Sequence, residues 1–187
     1  MAAASVIPQR DPTIVTARLT LRLPRDSDAD ALTNGIDDPA VSRMLAVVPF
    51  PYDRNDAEIF IAGARRRAYT GKSLNLAIVH DGELIGGIGL SALPLYCEFG
   101  YWLASRWWGR GFATEAGFAV VAFGFDVLGL ALIRSGVFAD NRASLAVQRK
   151  LGFAIVGRSE RHSLARGRAV QHIDTVLTRA GFRALAR

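Results

Sequence analysis

The chain has 187 residues, of which 50% are hydrophobic and 21% are charged. This composition is typical of a globular protein and excludes a disordered, collagen-like or coiled-coil chain. A chain of this length can bury a substantial core, and no Pro- or Ser-rich linker divides it. We therefore expect a single domain over residues 1–187, with its core at about 14–178 and a short tail at each end.

The positive charge is concentrated towards the C-terminal end. The formal net charge is +6, and residues 141–187 carry ten Arg or Lys against two Asp or Glu. A basic segment of this kind suits an anionic partner, such as a phosphorylated cofactor, an acidic substrate or RNA. A solvated arginine-rich surface explains the same charge equally well, so both interpretations stay open.

The cysteine content and the apolar segments of the sequence favour a cytoplasmic protein. The single cysteine, Cys97, excludes a disulfide framework and a multi-thiolate metal site, and it suits a reducing cytosol. The first ten residues lack the apolar segment of a secretory signal. The longest apolar stretch, residues 116–133, contains Asp126 and three glycines, which favours a buried helix and strand over a membrane span. We expect no membrane partner and no metal site.

The hydrophobic pattern predicts a sheet with helices inserted between its strands. In chain order it predicts a strand at 16–23, helices at 26–34 and 55–70, strands at 74–80, 83–90 and 97–103, an apolar helix after residue 111, a strand at 131–138, a helix at 141–151 and strands at 153–160 and 170–178. Asp81-Gly82 predicts one hairpin turn, and a second turn near Gly167 would place His162 opposite His172. The strand–helix–strand unit predicts one parallel pair in an otherwise antiparallel sheet, so the expected fold class is a mixed α/β sheet covered by helices.

A glycine-containing loop precedes the apolar helix and carries the strongest chemical signal. The segment Arg106-Trp-Trp-Gly-Arg-Gly111 joins a strand end to a helix start. The first backbone N–H groups of a helix have no internal partner, and glycines allow them to converge on an anion. Arg106 and Arg110 could add positive charge, so we expect a pyrophosphate; a glycine-rich turn without a ligand is the alternative.

Two common nucleotide-binding motifs fit this loop poorly. A phosphate-binding P-loop requires Gly-Lys-Ser/Thr, which is absent from this loop. A dinucleotide fingerprint requires a third glycine, but Thr114 stands at that position. It also requires an acidic residue about 20 residues further on, whereas the nearest candidate, Asp140, lies about thirty residues past the loop. We therefore do not expect NAD-type binding.

The segment Trp108-Gly-Arg-Gly-Phe-Ala-Thr-Glu-Ala116 resembles the acetyl-CoA loop of the GNAT N-acetyltransferases, in their RimJ/RimL-type branch of ribosomal-protein N-terminal acetyltransferases. Asn141-Arg-Ala-Ser144 through Phe153 is similar to the second cofactor segment of that branch, and Thr16–Arg22 to its first strand. The resemblance spans about residues 16–177. It implies the GNAT fold, a twisted, mostly antiparallel sheet whose central parallel pair splays to admit acetyl-CoA (coenzyme A), with helices on both faces.

The resemblance also implies roles for individual residues. The backbone of Tyr101, Trp102 and Leu103 would pair with the pantetheine arm and the acetyl group. Asn141 would hydrogen-bond the pantetheine, and Ser144 would lie near the thioester sulfur. The pyrophosphate would be held by the loop and the helix start, at Arg106, Gly109, Arg110, Gly111, Ala113 and Thr114.

Acetyl transfer needs a neutral amine, a stabilised oxyanion and a protonated leaving thiolate. We expect the backbone N–H of Leu103 to stabilise the oxyanion and the Ser144 hydroxyl to protonate the sulfur. Glu98, alone in an apolar strand where burial would raise its pKa, is the candidate base or amine-orienting residue. The alternatives are a base acting through water, or a structural role of Glu98 as a surface strand residue or in an ion pair. Cys97 has no histidine nearby in sequence, so we expect a buried residue and not a nucleophile.

Acceptor contacts are less well marked in the sequence. Phe50, Tyr52 and Arg54 lie between the early helices, where the resembled fold admits the acceptor; an ordered proline-rich loop is the alternative. His162 and His172 suggest paired strand histidines near a substrate cleft and not a metal site.

The expected function is acetyl-CoA-dependent acetylation of a primary amine, such as a protein N-terminal α-amino group. A small-molecule amine is the second possibility. A non-catalytic acyl-CoA-binding module, or a basic module that binds RNA or ribosomes, is the third, but no stacking-aromatic platform supports nucleic acid as a partner. A homodimer is left open.

Overall fold

A computed structural model of the chain describes residues 11–185. Its centre is an eight-stranded sheet with the order β1-β2-β3-β4-β5-β6-β8-β7. The strands are β1 Ile14–Val15, β2 Thr20–Arg22, β3 Leu74–His80, β4 Glu83–Ser91, β5 Glu98–Leu103, β6 Leu132–Phe138, β7 Ala154–Ser163 and β8 Arg168–Thr178. Neighbouring strands are antiparallel except β5 and β6, which are parallel. This confirms the predicted mixed α/β sheet.

Helices cover both faces of the sheet. They are α1 Ala29–Ile36, α2 Pro39–Ser42, α3 Arg54–Tyr69, α4 Phe112–Asp126, α5 Arg142–Lys150 and α6 Arg179–Leu185, with 3-10 turns at Asp26–Asp28 and Ser105–Trp107. Helices α1 and α3 pack on β3 and β4, whereas α4 and α5 pack on β4, β5 and β6. The main core lies under α4 and α5, and a smaller core joins α1, α3 and Trp102. The central strands are therefore enclosed from both sides.

Local chemistry explains where the helices begin. Asp53 accepts a hydrogen bond from the backbone N–H of Asp56, and the Asp56 carboxylate accepts one from the N–H of Asp53, which caps α3. Asn141 caps α5 by accepting a hydrogen bond from the N–H of Ser144 at 3.0 Å. Helix α4 instead begins without a side-chain cap, at Gly111.

The parallel strands β5 and β6 pair over very little of their length. Within the described residues, Glu98 opposite Arg134 is the single position at which the two strands pair. The N–H of Ala104 donates to Ile85 on β4, and because antiparallel ladders alternate, the N–H and C=O groups of Tyr101 and Leu103 point away from β4, towards β6. The strands splay beyond Glu98, so the middle of the sheet exposes backbone hydrogen-bonding groups to a gap.

The sequence-based elements agree with the structure except at the ends and in one hairpin. The expected opening strand is two short strands, β1 and β2, the first early helix is a 3-10 turn followed by α1, and α2 and α6 were not expected. The expected pairing of His162 with His172 is wrong. His162 lies opposite Ala169 and His172 opposite Ser159, because the turn spans four residues and Gly167 is its last residue, not its centre.

Two sequence predictions concern membranes and secretion. No helix within residues 11–185 is long and apolar enough to cross a membrane. The first ten residues, in which we expect no secretory signal, lie outside the described residues.

Candidate active site

A cleft of about 770 Å³ opens at the gap between β5 and β6 and is lined from both faces of the sheet. Ser135 contacts Gln148 of α5, so alternation along β6 turns Gly136 and Phe138 to the opposite face, the side of α1 and α3. On β5, Tyr101 faces α5, and Glu98, Gly100 and Trp102 face α1 and α3. We call these two halves of the cleft the α5 side and the α1 side.

The α5 side contains the helix start that the sequence predicts as an anion site. Gly109 and Gly111 have φ angles of +76° and +80°, a region that other residues adopt only with strain, so the loop requires glycine at both positions. The first intrahelical bond of α4 runs from the N–H of Glu115 to the carbonyl of Gly111. The N–H groups of Phe112, Ala113 and Thr114 precede it and are therefore available to a ligand. All three residues line the cleft.

The two predicted arginines of the loop lie outside the cleft lining. Arg106 forms an ion pair with Glu83, and the guanidinium of Arg110 stacks on Trp107 at 4.8 Å. Arg18, which sequence reasoning missed, approaches the same helix start. Its guanidinium donates to the carbonyl of Arg110 at 3.0 Å and forms an ion pair with Glu115 at 2.7 Å. Glu115 therefore anchors the opening strands to α4.

The tryptophans of the loop shape the cleft wall. The indole N–H of Trp108 donates to the carbonyl of Leu103 at 2.8 Å, which fixes the loop to the end of β5. Trp107 packs against His80 and Phe112. Its buried indole nitrogen has no hydrogen-bond partner among the described residues. Both tryptophans line the cleft, so they lie where a bound ligand would pack.

Two hydroxyl groups meet on the α5 side. The phenol of Tyr101 donates to the Ser144 hydroxyl at 3.1 Å. Burial raises the pKa of Tyr101, which outweighs the opposite effect of the Ser144 hydrogen bond, so the phenol stays protonated at neutral pH. Ser144 therefore has a proton donor next to it, a relation that the spacing of the two residues in the sequence did not indicate.

A buried amide holds β6 at the edge of the gap. Gln148 is only 1% exposed, and its Nε2 donates to the Ser135 hydroxyl at 2.7 Å, while its Oε1 accepts from Thr175 at 2.7 Å. The Ser135 hydroxyl in turn donates to the carbonyl of Phe99 at 2.8 Å. This chain of hydrogen bonds satisfies the β5 carbonyl where the strands begin to separate, and so stabilises the gap.

On the α1 side, Glu98 is not the buried carboxylate that its strand context suggested. Its side chain is 38% exposed and forms an ion pair with Arg161 of β7 at 2.6 Å. Arg161 follows Glu98 by 63 residues, so the pair depends on the tertiary fold. Cys97 is buried as expected, and burial, with a smaller effect of the Glu98 charge, raises the pKa of its thiol to about 12, which excludes a thiolate nucleophile at neutral pH.

The three predicted acceptor contacts separate in the structure. Tyr52 is 6% exposed and lines a second, apolar cavity of about 230 Å³ that shares Glu98, Gly100 and Trp102 with the cleft. Burial, and secondarily the nearby carboxylates of α3, raise its pKa to about 12. Phe50 is exposed and Arg54 forms surface ion pairs with Asp30 and Glu58; neither lines these two cavities.

The cleft brings together most of the predicted site residues. Tyr101, Trp102, Leu103, Gly109, Gly111, Ala113, Thr114, Asn141, Ser144 and Glu98 all line it. Because its amide oxygen caps α5, Asn141 has its amide N–H groups left for a ligand. A slot of unpaired strand backbone that ends at a helix N-terminus fits a ligand with an amide-containing arm and a phosphate group. Among residues 11–185, no group of three or more His, Cys, Asp or Glu side chains could hold a metal ion.

Comparisons with known proteins give matches along most of the chain. The profile of the family described as acetyltransferase (GNAT) domain matches residues 18–154. The uncharacterized N-acetyltransferase p20 of Bacillus licheniformis is 31% identical over 163 residues, which cover 84% of this chain and 91% of the relative. Mycobacterium smegmatis RimJ, solved in complex with CoA-disulfide, superposes with a TM-score of 0.83 at 24% identity and covers 94% of each chain. RimL, a ribosomal L7/L12 α-N-protein acetyltransferase solved with coenzyme A, has a TM-score of 0.80 at 19% identity, covering 89% of this chain and 98% of its own.

Proposed function

Because the chain belongs to the acetyltransferase (GNAT) family and is an acetyl-CoA-dependent N-acetyltransferase, we propose that its acceptor is the α-amino group at the N-terminus of a peptide or protein. The observation that carries this proposal is the shape of the α1 side. There the cleft and the second cavity share the lining residues Glu98, Gly100 and Trp102. The amine would enter the cleft while a neighbouring side chain of the same peptide enters the cavity.

The size and lining of the second cavity support a peptide. Its volume of about 230 Å³ is below the roughly 300–1,000 Å³ of sites that enclose a drug-sized ligand. Ile36, Phe60 and Trp102 make it apolar, and Gly100 of β5 leaves open space above the sheet. It therefore suits one apolar side chain at the end of a chain, with the rest of the peptide outside. RimL, a structural neighbour, is by its name an α-N-protein acetyltransferase.

The acid–base properties of amines favour the same acceptor. An α-amino group has a pKa near 8, whereas a lysine side chain has a pKa near 10.4. At neutral pH a larger fraction of the α-amine is already deprotonated and nucleophilic. The site therefore needs only modest help from a base.

We propose that residues of the α5 side stabilise the oxyanion and protonate the leaving sulfur. Bound acetyl-CoA supplies the acetyl group as a thioester. The Leu103 N–H, directed into the gap, would stabilise negative charge on the thioester oxygen, and Asn141 would hydrogen-bond the pantetheine. Ser144 would give its hydroxyl proton to the leaving sulfur, and Tyr101 would hold the hydroxyl in place and return a proton to it. No covalent acyl-enzyme is needed.

Calorimetry with acetyl-CoA tests the site, with NAD and desulfo-CoA as control ligands. A panel of acceptors then tests the substrate class: peptides with a free N-terminus and an apolar first or second residue, the same peptides blocked at the N-terminus but carrying lysine, and small primary amines. Release of the CoA thiol is the readout. We expect turnover of the unblocked peptides alone; turnover of small amines without peptides would overturn the proposed acceptor.

A cytoplasmic location and a single domain over residues 1–187 stay predictions.

A further inference from the structure

We propose that His172, oriented by Asp174, is the general base that removes the proton from the acceptor amine on the α1 side of the cleft. His172 lies on β8 opposite Phe138 of β6 and lines the cleft, although it is 5% exposed. The inference rests on acetyl transfer itself and not on the class of acceptor.

The ring of His172 lies across β6 towards the gap. Its Nδ1 contacts the Asp174 carboxylate at 2.8 Å, which fixes one edge of the ring. The other edge covers Gly136, because a Cβ added to Gly136 would overlap Cε1 of His172 and lie 2.8 Å from its Nε2. Gly136 belongs to the strand that borders the gap. A glycine at this position is therefore what allows the ring to reach the α1 side of the cleft.

The surroundings of Asp174 fix the tautomer. The carboxylate also accepts a hydrogen bond from Ser159 of β7 at 2.9 Å. Burial alone would raise the pKa of Asp174, but the hydrogen bonds from His172 and Ser159 lower it, so the group is a carboxylate at neutral pH. A carboxylate accepts the Nδ1–H and leaves the Nε2 lone pair as the proton acceptor. No hydrogen bond to Nε2 is found among the described residues.

Other charged groups near His172 and Asp174 already form ion pairs. Arg161 of β7 forms an ion pair with Glu98 at 2.6 Å, and its charge also helps to lower the pKa of Asp174. Arg166 stacks on Phe138 at 4.9 Å and is bound to Asp140 at 2.8 Å. Because Glu98 is engaged by Arg161, its carboxylate is a weaker candidate for the base than the imidazole, and an amine-orienting role suits it better.

The proton balance is complete with groups of the chain and water. The nitrogen lone pair of the neutral amine forms the new C–N bond, and Nε2 of His172 takes a proton from that nitrogen. The C–S bond breaks, its electron pair stays on sulfur, and the sulfur takes the Ser144 proton. His172 then releases its proton to water, and Ser144 regains one through Tyr101.

The test compares two histidines of the same hairpin. His172→Ala should lower kcat about 100-fold, within the range for a general base, while acetyl-CoA affinity changes less than twofold. Added imidazole should restore activity with saturation, since it can occupy the vacated space. His162→Ala, exposed on β7 and outside the cleft lining, should keep full activity and show no response to imidazole. An inactive, folded His172→Ala protein that imidazole does not restore would overturn the inference.

A second variant and a spectroscopic measurement cover loss of folding. His172→Gln keeps volume and a hydrogen bond to Asp174, so its melting temperature should stay close to that of the parent while kcat falls. If it keeps more than half of the activity, the inference fails. Nitrogen-15 NMR should show His172 protonated at Nδ1, and Asp174→Asn should alter that signal; an Nε2-protonated ring would also contradict the proposal. Any amine that the enzyme turns over serves in these assays, so failure of the peptide proposal is distinguishable.

Discussion

The two halves of the cleft are built in different ways. The α5 side consists of strand backbone, a helix start and two hydroxyls, and much of it comes from one continuous segment, residues 98–115. The α1 side consists of side chains from β5, β6, β7, β8 and the segment after α1. In our proposals the first half holds the thioester and protonates its leaving group, and the second receives the amine and removes its proton. The acetyl donor and the acceptor are thus assigned to different kinds of structure.

The largest effect should follow a change on the α5 side that leaves binding intact. Ser144→Ala removes the proposed proton donor but keeps the N–H that Asn141 caps. We expect kcat to fall about 100-fold with acetyl-CoA affinity unchanged, because only the leaving step is affected. Steady-state kinetics and calorimetry measure the two quantities. Ser73→Ala, a buried serine before β3 that lines neither cavity, is the control. An equal loss of affinity and kcat in Ser144→Ala would contradict the assigned role.

A second change should remove binding on the same side. Gly111→Asp places a carboxylate at the helix start, where an unfavourable contact of about 2 kcal/mol with a phosphate weakens affinity about 30-fold. Gly82→Asp is a matched control, since Gly82 has a φ of +82°, close to the +80° of Gly111, but lies in the β3–β4 turn. Both carry the backbone strain, and calorimetry with acetyl-CoA should show weakened binding in Gly111→Asp alone.

A change on the α1 side should affect the acceptor alone. Glu98→Gln breaks the pair with Arg161, which is partly exposed, so we expect about a fivefold rise in the KM for the acceptor. The Kd for acetyl-CoA should not change. Glu58→Gln, which breaks a surface pair with Arg54 outside both cavities, should alter neither constant. A changed Kd in Glu98→Gln would remove the distinction between the halves.

The smallest effect concerns the support of the α1 side. Arg22 of β2 binds Asp28, just before α1, at 2.7 Å, and both side chains are largely buried. Burial would raise the pKa of Asp28, but hydrogen bonds from Arg22 and the Arg25 backbone hold it below its ordinary value. Its stabilisation is therefore present above the ordinary pKa and is lost as the pH falls through the lower, folded-state value. Urea midpoints from pH 7 to 3 should fall less steeply in Asp28→Asn than in the parent, whereas the exposed Asp30→Asn should follow the parent.

The sequence was more informative about the α5 side because its signals are local. Glycines at 109 and 111, the strand before them and the helix after them are neighbours in the chain, and the parallel pair follows from that order. The partner of Glu98 could not be predicted, since Arg161 reaches it only through the register of β7 and β8. The register of β7 and β8 depends on the length of the turn between them, and Gly167 alone does not define that length. Tyr52 and Phe50 stand two residues apart, and only the packing of α1 against α3 decides that Tyr52 is buried.

The unpaired stretch of β5 and β6 has a consequence for stability. Strands β1–β5 and β6–β8 are two half-sheets that share one paired position, so a ligand in the seam acts as a strand would, joining them by hydrogen bonds. By mass action, a ligand at 100 times its Kd adds about 2.7 kcal/mol to the free energy of unfolding. Resistance of this enzyme to heat and proteolysis should therefore rise with the supply of its own acetyl donor.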